Sequence, residues 1–322
     1  MIGKRAYVIC AAACVAAHPI WANDFQISFP LECDLSTECY VQQYVDHDPS
    51  PKASDFSCSF LTYDGHKCTD FGLRDPALLD RGVFVVAAAA GRVVARRDRV
   101  IDKIYTAEDA ERVDKIECGN GVVIQHDNGW QTQYCHMKQG SVTVTKGQIV
   151  AQGDPLGQVG VSGKAAFPHL HLSVRQGNRV VDPYAPNGRL SCDGDLETLW
   201  DLTPAYQQGD LLYIGFSDRV PEFDDVKMGT VPQELTPQSP ALVMYVHGFG
   251  TQKSDQLELE FTGPAGTIAQ QTITLPKDQA QMMRAIGRNR KADWPRGSYT
   301  ATARLIRNGV EIQLLQKDMR ID

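Results

Sequence analysis

Five residues in three short segments carry the side chains best suited to chemistry. In Gly65-His66-Lys67-Cys68-Thr69-Asp70 an imidazole and a carboxylate stand four positions apart. In Pro168-His169-Leu170-His171 two imidazoles are spaced i and i+2, which on a strand puts both on one face. Between them, His136 follows Tyr134-Cys135. Neutral imidazoles with one carboxylate are the ligand set of a catalytic zinc that keeps a position open for water. A lone histidine is more often a surface or satisfied core residue, but the three segments in this order are hard to obtain by chance. No His-Glu-x-x-His occurs, so the helix-borne zinc pair with a glutamate base is excluded.

These residues need rigid elements beneath them. Gly121 to Gln125 and Trp130 to Tyr134 are strand-like runs joined at Asp127-Asn128-Gly129, which predicts a hairpin leading to His136. Cys118 and Cys135 flank it and could close across it. Val83 to Ala90 and Gly91-Arg92-Val93-Val94 read as two buried strands. Arg96 to Glu117 is charged and irregular, with a short helix around Ala107 to Val113, and reads as a surface insertion. From Val142 to Val161 glycines recur at intervals that supply the positive φ of tight turns between short antiparallel strands.

Past a Gly-, Pro- and acid-rich junction at 187–234, which holds a further candidate strand at Leu211 to Ile214, five strand candidates follow. They are Ala241 to Val246, Gln256 to Phe261, Gly266 to Leu275, Gly297 to Ile306 and Val310 to Leu315. Their spacing predicts a second, all-β unit of sandwich type, and the segment from Trp294 to Tyr299 resembles the late strands of immunoglobulin-like domains. The chain of 322 residues has room for two cores. The class is therefore mainly β.

Lys4 and Arg5, the apolar run Ala6 to Ala17 and Ile20-Trp21-Ala22 predict a signal peptide over 1–22 and an exported, periplasmic or secreted protein. Ala11-Ala12-Ala13-Cys14 offers a rival lipoprotein reading with Cys14 lipidated, but the apolar run before it is short. The predicted mature chain keeps seven cysteines, a disulfide framework with one thiol left over. Cys68, between His66 and Asp70, reads as half of a bridge to Cys58 or Cys192; a Cys58–Cys192 bridge would instead leave it unpaired. A formal net charge of -7 argues against a nucleic-acid partner. No apolar stretch reaches the ~18 residues of a membrane span.

The segment from Asp64 to Pro186 resembles the lysostaphin-type, or LytM-like, zinc endopeptidases of bacteria. The likeness rests on Gly65-His66, Asp70, Ala90-Gly91-Arg92-Val93-Val94, Gly121-Val122-Val123, Tyr134-Cys135-His136-Met137, Lys146-Gly147, Ser162-Gly163, Pro168-His169-Leu170-His171 and Val181-Asp182-Pro183. The resemblance implies an antiparallel β-sheet groove and one Zn2+ per chain, held by His66, Asp70 and His171. It makes His136 and His169 unliganded catalytic histidines, and peptidoglycan peptide cross-links the substrate. The family's pattern continues after the paired histidines with an aromatic residue and a glutamate, where Leu172-Ser173 stand here, and has a small residue where Phe167 stands. The expected organisation is a signal at 1–22, a metallopeptidase domain at 23–198 with its core at 58–187, and a β-sandwich at 199–322. A cell-envelope protein is a further expected partner of the second domain. The competing reading is a catalytically silent wall-binding or regulatory protein of the same fold.

Overall fold

The computed structural model describes residues 25–189, 192, 197–232 and 234–322. The expected signal at 1–22, with Cys14, lies outside the described residues. The first half contains β1 (Cys39–Gln43), β2 (Thr69–Leu73), β3 (Phe84–Val86), β4 (Gly91–Arg97), β5 (Asn120–Gln125), β6 (Trp130–Met137), β7 (Ile149–Val150), β8 (Pro155–Gln158), β9 (His169–Gln176) and β10 (Arg179–Val180). One antiparallel sheet runs in the order β1-β2-β9-β6-β5-β4-β7, with β10 beside β9, while β3 and β8 pair separately. The hairpin β5–β6 forms where expected; its turn places Asn128 and Gly129 at positive φ.

Alternation sorts the two faces of this sheet. Leu170, Leu172 and Val174 of β9 are buried in the core, and His169, His171, Ser173 and Arg175 take the other face. In β6, Trp130, Thr132 and Tyr134 point into the core, and Gln133 and Cys135 point away from it. The register sets Asp70 of β2 and Cys135 of β6 on either side of His171. Three adjacent strands thus share one chemical face. Beneath them lies an apolar core that includes Phe71, Ile124, Leu156, Leu199 and Trp200. Next to it, Tyr44 packs against Phe56, Tyr184 and Tyr206 at ring separations of 5.0–5.2 Å.

The second half contains β11 (Asp210–Ser217), β12 (Ala241–Thr251), β13 (Gln256–Gly263), β14 (Gly266–Thr274), β15 (Gln279–Asn289), β16 (Gly297–Arg307) and β17 (Val310–Ile321). Two antiparallel sheets, β11-β12-β15 and β14-β13-β16-β17, enclose one core. Ile214, Leu242, Met244 and Val246 come from the first sheet, and Leu257, Phe261, Tyr299 and Leu305 from the second. The strand β15 was not expected from the sequence. In it only Met282 and Ile286, four residues apart, are buried, so period-two alternation is absent.

The two cores are joined. Tyr40 of β1 packs with Leu212, Tyr213, Tyr245 and Phe249, its ring 4.3 Å from that of Phe249. Arg74 pairs with Asp210 at 2.9 Å. Gly72 lies under the Tyr40 ring, and a Cβ there would come within 2.6 Å of it. No helix among the described residues is long and apolar enough to cross a membrane.

Disulfides link Cys33 to Cys39, Cys58 to Cys192, and Cys118 to Cys135. The reading of Cys68 as half of a bridge is corrected: it is the free cysteine among the described residues and is buried. Cys58 turns toward Cys192, whereas Cys68 lines the histidine-bearing face beside His171.

Candidate metal and catalytic centre

His66 sits just before β2, and its Nδ1–H donates to the Tyr44 carbonyl at 2.8 Å. A carbonyl only accepts, so in the neutral ring Nε2 carries the lone pair. That Nε2 is buried without a hydrogen-bond partner and lies 3.3 Å from Asp70 Oδ2. Two acceptors facing each other in a buried place repel unless a cation or a proton stands between them. His171 Nδ1 lies 2.8 Å from Asp70 Oδ1, and the ligand atoms of His66, Asp70 and His171 fall within 4.8 Å of one another. Ligand atoms bound at ~2.0–2.2 Å to one tetrahedral zinc are roughly 3.3 Å apart, so the trio fits that ion.

Strict alternation along β6 would send His136 into the core with Tyr134. A bulge between β5 and β6 prevents this: Asn120 pairs with Met137 but Val122 with Tyr134, leaving one residue extra on β6. His136 has φ 62°, a left-handed conformation that costs a non-glycine residue ~1–3 kcal/mol. Its N–H donates to the Cys118 carbonyl and its Nδ1–H to the Ser162 carbonyl, both at 2.8 Å. His169 repeats the scheme, Nδ1–H donating to the Phe167 carbonyl at 2.8 Å. Both rings therefore turn an unprotonated Nε2 away from their carbonyl anchors, and their centroids are 4.7 Å apart. All five residues singled out in the sequence converge on one face. His136, His169 and His171 form a second group of mutually close ligand atoms, but one without a carboxylate.

The family model described as Peptidase family M23 matches residues 66–183, which begin on His66 and contain the whole constellation. The chain carries a domain of peptidase family M23. The peptidoglycan DD-endopeptidase ShyB of Vibrio cholerae is 39% identical over 64 residues, covering 20% of this chain and 15% of that protein. The cell division protein DipM of Caulobacter vibrioides is 40% identical over 68 residues, 21% of this chain and 11% of DipM. The chain thus spans only a small part of the length of these relatives. A solved zinc-containing peptidase from Vibrio cholerae aligns over 54% of this chain and 40% of its own, at 23% identity and a TM-score of 0.32.

Charge in the M23 domain is arranged around Asp70. Burial works against its carboxylate, yet His66, His171 and His169 hold it well below the usual carboxylate range. Burial also opposes the charged form of His171, but Asp70 beside it outweighs that and pushes its pKa up to about 10. His136 goes the other way, held well below 6.5 by burial and by the neighbouring His169 and His171. Burial likewise lowers His169. One carboxylate–imidazole pair is thus charged, and two flanking imidazoles stay neutral.

A groove of about 520 Å³ opens over this face of the M23 domain. Phe167, where the family pattern has a small residue, stacks on His169 at 4.3 Å and narrows it. Tyr63 lines the groove, half exposed, with its ring 4.5 Å from His66. Tyr134 is buried in the core and its hydroxyl accepts from the Ala88 N–H, so it is unavailable to substrate. His47 pairs with Asp182 at 2.7 Å, and His126 and His247 lie away from the groove. Tyr105 and Glu117, from the segment read as a surface insertion, form part of the wall. Sequence reasoning also missed Arg175, although extending the alternation His169, His171, Ser173 by one step would have found it.

The Cys118–Cys135 bridge closes next to His136, whose N–H is bonded to the Cys118 carbonyl. Replacing both cysteines by serine should destabilise the chain by ~2–4 kcal/mol in thermal unfolding. An unchanged melting curve would show that the bulge is held without the bridge.

Proposed function

We propose that the chain is an exported zinc endopeptidase that hydrolyses peptide cross-links of bacterial peptidoglycan. The observation that carries the reading is the buried, unpartnered Nε2 of His66 facing Asp70, with His171 on the far side of the same carboxylate. His66, Asp70 and His171 would hold one Zn2+, and the carboxylate-bearing trio is preferred to His136, His169 and His171 because a dication is best placed where a buried negative charge awaits it. When bound, zinc polarises a scissile carbonyl and lowers the pKa of a water toward ~7. His136 and His169 then act on protons. Each has Nδ1–H fixed to a carbonyl, a lone pair on Nε2, and a pKa low enough to leave the ring neutral, so either can accept the proton of the attacking water at Nε2 and, once protonated, pass that proton to the leaving amine. Tyr63 stands at the rim to donate to a developing oxyanion.

Three disulfides support an oxidising compartment, as expected of a wall enzyme. We place the boundary of the catalytic unit near Gly209 rather than at 198, since Leu199, Trp200 and Tyr206 pack with its core. The remainder reads as an immunoglobulin-like β-sandwich that covers the edge strand β1 through Tyr40 and offers its outer surfaces to the wall or to a cell-envelope protein.

Mass spectrometry of peptidoglycan incubated with the zinc-loaded protein tests the reading: new amino termini within the cross-links are expected. Intact wall peptides would favour a silent wall-binding role. A pH dependence follows as well. With its pKa raised to about 10, His171 is protonated at neutral pH before metal arrives, so binding zinc must expel that proton. Apparent zinc affinity should rise ~10-fold per pH unit between about 7 and 9, the effect of one proton released. Titration calorimetry in buffers of different ionisation enthalpy counts that proton; a count of zero would contradict the His171–Asp70 pairing.

A further inference from the structure

Arg175 lies on the groove face of β9, four residues beyond His171, which is ~13 Å along a strand. It is half-buried, and its guanidinium donates to Gln131 Oε1 at 2.9 Å and to Gln133 Oε1 at 2.6 Å. Both partners are neutral amides on β6, which orient the group without cancelling its charge. No carboxylate among the described residues stands within ion-pair distance of it. At the intervening position on the same face is Ser173, which carries no charge. A glutamate there, two residues from Arg175 on one face, would lie within reach of the guanidinium. Here the charge is left open to the groove.

The rest of the groove agrees in sign. Lys67 and Lys164 line it, with the Lys164 ammonium over the Tyr105 ring, 5.7 Å from its centre. Glu117 is the opposing charge apart from Asp70, which the metal centre uses. A chain of net charge -7 thus lines its groove with cations, and a cleft of one sign concentrates ligands of the other. A half-buried guanidinium held in place by neutral acceptors is a preformed carboxylate receptor.

We propose that Arg175 is a specificity-determining residue that binds a free carboxylate of the substrate peptide ~13 Å from the metal centre, so that acidic peptides are taken in preference to their amidated forms. An extended peptide advances ~3.3 Å per residue, so the carboxylate belongs about three to four residues from the scissile bond. The inference rests on the peptidase reading, and its test is a binding measurement that needs no turnover.

Two fluorescent peptides are compared by initial anisotropy on the zinc-loaded full chain: one containing D-alanine with a carboxylate four residues away, the other identical but amidated there. Tighter binding of the acid by ~10–100-fold is expected, the range for a charge-assisted hydrogen bond. Arg175→Gln should reduce the ratio to within about twofold. Ser173→Glu, which supplies an internal carboxylate, should do the same while keeping Arg175, and it carries the test should Arg175→Gln fail to fold. Equal binding of both peptides to the native chain, or a ratio that survives both substitutions, overturns the proposal. Discrimination without cleavage of either peptide or of the wall would overturn the peptidase reading and leave the carboxylate site standing.

Discussion

Asp70→Ala is expected to yield a folded protein that no longer retains zinc at submicromolar concentration and no longer hydrolyses its substrate. Asp70 is the one anion in the proposed ligand trio, and three imidazoles are arranged about it. Structural zinc in small peptides binds with ~10–16 kcal/mol over four ligands, so one ligand is worth ~3–4 kcal/mol, or ~10²–10³ in affinity. His66→Ala and His171→Ala should act in the same direction, since each removes one member of the trio. Metal content by mass spectrometry after dialysis, measured beside activity, checks all three. Stoichiometric zinc in the Asp70→Ala protein would mean that the ion is held by His136, His169 and His171 instead.

Substitution of His136 or His169 should separate metal from rate. Neither belongs to the proposed ligand trio, so His136→Ala and His169→Ala should keep zinc while losing ~10²–10⁴ in kcat, the usual worth of a positioned acid or base. A group acting as base must be unprotonated, and both pKa values are lowered from 6.5. The acid limb of kcat/KM in the native chain should therefore fall below the ordinary imidazole range, with activity lost only as pH drops through it. Zinc lost from His169→Ala but retained by His171→Ala would exchange the roles of those two residues.

The gathering of His169 and His171 on one face is legible in the sequence because strand geometry transmits it. His169 and His171 are two apart on a strand, and alternation alone puts them on one face. The hairpin that leads to His136 follows from Asp127-Asn128-Gly129, where Asn128 and Gly129 tolerate the positive φ the turn needs. The orientation of His136 is not legible: alternation would bury it beside Tyr134, and only the bulge, set by pairing with Asn120 and Val122, turns it outward. Nor does local sequence announce that Tyr44 and Ser162 supply the carbonyls that fix His66 and His136, because those contacts join distant segments. The fate of Cys68 depended likewise on a bridge spanning 134 residues. β15 escaped notice because its inward residues are four apart, and the Tyr40 cluster because it forms between two units, each of which reads as self-sufficient.

One zinc is expected between His66, Asp70 and His171. Anomalous diffraction at the zinc edge from crystals of the zinc-loaded full chain tests it directly. One peak per chain is expected, within ~2.0–2.2 Å of His66 Nε2, an Asp70 oxygen and His171 Nδ1. A peak bounded by His136, His169 and His171, or no peak on this face of the sheet, would rule out that site.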